Sequence, residues 1–218
     1  MNTRQRLLLA ASLSAILAAS SVPVYAQHAG HAIHLAEAAP TPAQASAVQR
    51  DLWIGHVFWV RNVVLETLAG NSAAAKAAEN EVVANAKRLG ASIEPFYGKA
   101  ASDKLFGLLA AHYGAVKQYL EATVAGSPAK QDVAMKNLTD NAGEIAVFLS
   151  GANPNLPAAT VRGLLLAHGG HHAQQIQQLL GKHYQQEGQT WEAMKIHMYV
   201  IADALAGALA KQFPDKFS

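Results

Sequence analysis

Three histidines stand at equal intervals: His56, His112 and His168, 56 residues apart. Residues three and four apart share one face of a helix. Around His56 those neighbours are Leu52, Trp53 and Val60; around His112, Leu108, Leu109 and Val116; around His168, Leu164, Leu165 and His172. Each imidazole is therefore expected on an apolar stripe facing a core. A second polar residue recurs in the same way. Asn85 lies among Val82 and Leu89, Asn141 among Leu138 and Ile145, and in the third copy His197 lies between Met194 and Ile201.

A buried polar side chain without a partner costs about 1–3 kcal/mol, so these six residues must satisfy one another, a ligand or trapped water. One solution is a metal centre. Imidazole ligates zinc, copper, iron and nickel, and three histidines with one open position is the donor set of catalytic zinc. Asn85 and Asn141 would then accept from ring N–H groups and fix ring orientation. The other solution is a hydrogen-bonded His–Asn layer that only sets helix register. The third copy favours metal. It reads His168-Gly169-Gly170-His171-His172, and a His pair at i and i+4 can grip one ion from a single helix face. Val60 and Val116 occupy the place of His172 in the other copies. Its two glycines allow a close backbone approach. The expected core ligands are His56, His112 and His168, with His172 or His197 as a fourth. A separate cluster, His28, His31 and His34, is a second candidate site for copper, nickel or zinc.

The elements that must position these residues read as helices. From Arg50 to Phe213, Ala, Leu and Val dominate, and Gly or Pro punctuates the pattern. The punctuation predicts six helices, roughly 49–69, 72–91, 102–125, 128–150, 157–185 and 189–212, the last two divided at Glu187-Gly188. No run alternates as a strand would. Sliding the chain by 56 residues brings Leu52, His56, Val60, Thr67, Ala69 and Gly70 onto Leu108, His112, Val116, Thr123, Ala125 and Gly126. The expected fold is all-α: a six-helix bundle of three helical-hairpin repeats, closed about a pseudo-threefold axis on which equivalent residues converge. Arg61 and Lys117 align one position past the valines and are expected on the flanking surface, snorkelling over the core.

The N-terminus reads as a secretory signal over residues 1–26, with Arg4 and Arg6 before the apolar run Leu7–Ala19 and a Val24-Tyr25-Ala26 cleavage site. Residues 27–48 read as a flexible His-containing tail and 49–218 as the helical-repeat domain. The expected location is periplasmic or secreted, with no membrane span once the signal is removed. The 218-residue chain has no cysteine, which excludes disulfides, thiolate metal sites and covalently attached c-type haem. Without Arg4 and Arg6 its 17 basic residues fall to 15, equal to the 15 acidic ones. This balance and the lack of a basic patch argue against nucleic acid as a partner.

Several short elements carry a resemblance. His56-Val57-Phe58-Trp59-Val60-Arg61, Ala84-Asn85-Ala86-Lys87, Leu108–His112, Asp140–Ala146 and Leu164–His168 resemble, in order, the HVxWTR, NA and LLxxHL elements of a group of small bacterial helical proteins. The resemblance spans roughly residues 50–213. It implies the helical architecture rather than a reaction, since the group has no firmly established activity. Some members carry a glycosyltransferase label, but this chain has no nucleotide-binding α/β pattern. Val60 replaces the group's usual Thr, and His171-His172 and the His-rich tail depart from its pattern.

The first expectation is thus a periplasmic metal-binding protein, for copper or zinc, acting in metal handling. The alternative is a non-enzymatic interaction or structural module with a purely hydrogen-bonded His–Asn layer. A third is a metalloenzyme or a non-covalent haem bundle with histidine axial ligands. No acidic residue falls on the inner stripe beside the histidines, so no general base for hydrolysis is in place.

Overall fold

The structure is a computed structural model that describes residues 39–218, which form one compact unit. The expected signal segment, most of the expected tail, and with them His28, His31 and His34, lie outside the described residues. The described chain is built from six long helices: α1 Pro42–Leu68, α2 Ser72–Ala91, α4 Lys99–Val124, α5 Pro128–Ala152, α6 Ala158–Leu180 and α7 Tyr184–Gln212. A four-residue turn, α3 Glu94–Tyr97, joins α2 to α4, and a 3-10 turn at Pro214–Lys216 follows α7. Among the described residues there is no strand.

Helix α1 packs along α2 and α7, α2 along α4, α4 along α5, α5 along α6, and α6 along α7, so the circuit of contacts closes. Helices α1, α4 and α6 also touch one another. The apolar core divides at the level of the repeated histidines. On α1, α4 and α6, Val60, Val63, Val116, Leu120, Ile176 and Leu179 follow the histidine and join one cluster. Trp53, Leu105 and Leu109 precede it in a second cluster, and Leu108, Val161 and Leu165 precede it in a third. The histidines occupy the seam.

Three features differ from the sequence reading. Helix α1 begins at Pro42 rather than near 49. Thr41 caps it through a reciprocal box with Gln44, and Pro42 stands at its first position, where no N–H is needed. Ser46 on this added stretch and Arg50 one turn further on both bond Asp203 of α7. Near the C-terminus, the break falls at Gly181–His183 and not at Glu187-Gly188. Gly181 caps α6 and Lys182 takes a left-handed φ of 57°. Gly188 continues inside α7 with open space around it, at the usual cost of about 1 kcal/mol for a helical glycine. Thirdly, α7 as an unbroken 29-residue helix is long and apolar enough to cross a bilayer, which the sequence reading had allowed to no segment past the signal. Its buried face, with Met194, Met198, Ile201 and Ala202, packs into the core.

Glu187 owes its place in the first turn of α7 to a polar cluster. Arg61 donates from Nε and Nη2 to its two carboxylate oxygens at 2.7 Å each, and Gln175 Nε2 donates to Oε1 at 3.1 Å. The Arg61 guanidinium also lies 5.5 Å from the Trp191 ring centroid. Arg61 therefore ties α1 to α7 rather than merely covering the core, and Lys117 ties α4 to α2 through Glu79 at 2.6 Å. The Glu187 side chain is only 4% exposed. Arg61→Ala should destabilise the protein by about 2–3 kcal/mol, the low end for stranding a buried charge because Arg61 itself reaches solvent. A denaturant midpoint shift of that size, relieved by Glu187→Gln in the same chain, is the expected result; no shift would contradict it.

Candidate metal centre

Helices α1, α4 and α6 each deliver one repeated histidine, and α6 delivers a second. His56, His112, His168 and His172 are 3%, 2%, 0% and 3% exposed. The ring centroids lie 6.4 Å apart for His56–His112, 5.6 Å for His56–His168, 5.8 Å for His56–His172, 5.4 Å for His112–His168 and 4.4 Å for His168–His172. The His112 and His168 rings are near-parallel, at 12°. His168 Nε2 and His172 Nε2 are 3.2 Å apart. One nitrogen from each of His56, His168 and His172 falls within 4.8 Å of the others.

The Asn positions work on the helix backbone first. Asn85 Nδ2 donates to Leu52 O at 2.9 Å, Asn141 Nδ2 to Leu108 O at 3.1 Å, and His197 Nε2 to Leu164 O at 2.8 Å. Each of these bonds spans 33 residues. Each acceptor is the residue four before a repeated histidine, whose carbonyl takes that histidine's own N–H in the helix and still has a second lone pair. The outer helix thus clamps the very turn that carries the imidazole. Sequence spacing placed these residues on core faces but gave no sign that a main-chain carbonyl was their partner.

One amide also reaches a ring. With its NH2 committed to Leu108 O, Asn141 turns Oδ1 toward His112 Nδ1 at 3.0 Å. The carbonyl oxygen can only accept, so His112 carries its proton on Nδ1 and presents an unprotonated Nε2. That Nε2 is buried and has no partner. Asn85 Oδ1 and both nitrogens of His56 are likewise buried without partners, as is His168 Nδ1. His197 is only half-buried and stands apart from the four-ring cluster, its ring 5.4 Å from that of His171.

No protein-family model, curated protein or solved structure matches this chain. The site is read from its own chemistry.

Burial holds all four inner rings uncharged at neutral pH. It lowers His56 to about 3, with help from neighbouring His112. It lowers His112 to about 4, against the opposing pull of the Asn141 bond. His168 and His172 are pushed well below the ordinary 6.5, by burial first and by the surrounding imidazoles second. A neutral ring offers a lone pair to a metal ion, and no proton has to be displaced at pH 7. In a tetrahedral site with bonds of about 2.0–2.1 Å, donor nitrogens stand roughly 3.3–3.4 Å apart. The His168 and His172 Nε2 atoms come close to this separation at 3.2 Å, where one donates to the other, so binding an ion moves that proton to the ring's Nδ1.

The two glycines between them differ. A Cβ on Gly169 would stand 2.7 Å from Leu138 Cδ2 and 3.2 Å from its Cγ, whereas one on Gly170 would meet nothing within 4 Å. Gly169 lets α6 approach α5 beside the site; Gly170 serves no packing need. Both alanines gain about 1 kcal/mol of helix propensity, but at Gly169 overpacking costs about 1–3 kcal/mol, so Gly169→Ala should be net destabilising by up to about 2 kcal/mol and Gly170→Ala stabilising by about 1 kcal/mol. Thermal melts of the two variants in metal-free buffer should move in opposite directions; equal shifts would contradict the packing account.

Proposed function

We propose that this chain is an exported, periplasmic metal-binding protein that holds one copper or zinc ion in its core and acts in metal handling. The observation that carries the reading is the meeting of His56, His168 and His172 nitrogens within 4.8 Å of one another, in a fully buried cluster of uncharged rings. These three would be ligands. His112 Nε2, unprotonated and unpartnered, falls outside that group of converging nitrogens, so as a fourth donor it would have to shift toward the ion. Asn85, Asn141 and His197 hold the ligand-bearing turns, and Asn141 also sets a ring tautomer, which is the usual part of groups behind a metal ligand. His197 joins the orienting set in this reading because its Nε2 is committed to Leu164 O.

The bundle is, in this proposal, three helical hairpins about a pseudo-threefold axis. The 56-residue interval and the three bonds of equal span support it. The third hairpin would be the one adapted to the ion, since His172 stands where the others have Val60 and Val116. Handling rather than catalysis is the proposal because no carboxylate joins the donor group as a general base, and the buried Glu187 is held by Arg61 and Gln175. Export rests on the signal-like residues 1–26, and His28, His31 and His34 would capture ions at the surface.

The competing reading is a structural His–Asn layer, favoured by the bond between His112 and Asn141, which needs no metal. Titrating Zn2+ or Cu2+ into metal-free protein whose His28, His31 and His34 are replaced by Ala separates the two. One ion bound per chain, with protection against heat, is expected. Failure of both ions to bind at millimolar concentration would leave only the structural layer.

A further inference from the structure

The nitrogens that converge in the core carry no charge and have no counter-charge beside them. His56, His168 and His172 are 3%, 0% and 3% exposed, and one nitrogen from each lies within 4.8 Å of the others. Among the described residues no carboxylate joins this group. Burial and the neighbouring imidazoles hold all three rings below the ordinary histidine value, and no acidic side chain pulls the other way. Glu187 is the one buried carboxylate among the described residues, and Arg61 holds both of its oxygens. The number of donors matters as much as their charge. Three nitrogens converge, while the His112 ring lies parallel to that of His168, bonded to Asn141, with its nitrogens outside the group.

We infer that this centre selects singly charged copper, Cu(I), over doubly charged ions such as Zn2+. The inference rests on the metal-binding reading and names its cargo. The cost of moving an ion from water into a closed, low-dielectric site rises with the square of its charge, and an opposite charge beside it is what offsets that cost. Neutral imidazoles supply none, so Cu(I) would leave one net charge in the core and Zn2+ two. Coordination number points the same way. Imidazole suits both metals, but Cu(I) is satisfied by three donors in a plane. Protein-bound Zn2+ takes four, and beside three histidines it fills the fourth place with water or hydroxide. With the three rings closed off from solvent, Zn2+ would have to draw in a hydroxide or pull His112 away from Asn141. Cu(I) needs neither.

Competition titrations on the full chain test this, with His28, His31 and His34 replaced by Ala so that only the core reports. Cu(I) is supplied under argon from its bicinchoninate complex, and Zn2+ from a buffered chelator. One Cu(I) per chain should bind at least about 100-fold more tightly than Zn2+, as expected when one further charge is buried without a partner. His172→Glu places a carboxylate among the donors and should narrow that preference at least about tenfold or reverse it. Where this variant does not fold without metal, the titrations of the parent decide alone. Zn2+ binding as tight as Cu(I) or tighter, or a preference unmoved in a folded His172→Glu protein, would overturn the selectivity and leave the metal site standing. Binding of neither ion would remove both.

Discussion

The metal-free protein should lose stability steeply as pH falls below about 6.5. The unfolded chain takes up a proton on each histidine near the ordinary value of 6.5, whereas folded His56 and His112 resist protonation down to about 3 and about 4. Between those limits the unfolded state holds more protons, so stability rises with pH and is lost on acidification. Two such groups give a slope of about 2–2.5 kcal/mol per pH unit between pH 6 and 4. His168 and His172, shifted in the same direction, steepen it further. Against a total of about 5–15 kcal/mol for a domain, this is enough to unfold the protein above pH 4. Urea unfolding followed by circular dichroism at pH 7, 6 and 5 checks the slope. A free energy constant across that range would show that the four rings are not buried as described. A bound ion at 100 times its dissociation constant should restore about 2.7 kcal/mol at neutral pH, and acid should weaken that protection as protons compete for the same nitrogens.

His172→Val should separate the metal reading from the structural one. Valine stands one and two 56-residue intervals earlier, at Val116 and Val60, both 2–3% exposed and well packed, so the change suits the fold. Removing groups behind a ligand typically costs 10–100-fold in affinity, so loss of a ligand should cost at least about 100-fold. At the same time the variant sheds one buried imidazole, so its metal-free form should be as stable as the wild type at pH 7 and more stable at pH 5. Opposite effects on metal affinity and on stability of the metal-free form are the signature of a ligand. A variant that binds metal as well as the parent would remove His172 from the site.

Much of this arrangement was legible before any coordinates. Periodicity puts His56, His112 and His168 on apolar stripes, and their helices pack against one another, which brings the three rings close, although the His112 nitrogens fall outside the group formed by His56, His168 and His172. His172 was legible for the same reason, four residues after His168 on the same face. The partners of Asn85, Asn141 and His197 were not, because a main-chain carbonyl four residues before a histidine leaves no mark on residue type. The division of α6 from α7 was misread for a related reason. Gly188 looks like a breaker, but Glu187 beside it is anchored by Arg61 and Gln175, a contact across helices that no local pattern encodes. The early start of α1 was hidden by the Ala- and Pro-rich stretch around it, although Thr41-Pro42 and Gln44 form a capping box.

The most direct test of a metal centre in the core is elemental analysis of the untagged protein purified from its own compartment without chelators. Close to one equivalent of copper or zinc per chain is expected, retained when His28, His31 and His34 are replaced by Ala and lost in His172→Val. A protein that carries no transition metal, or one whose metal disappears with the tail histidines and survives His172→Val, would contradict it.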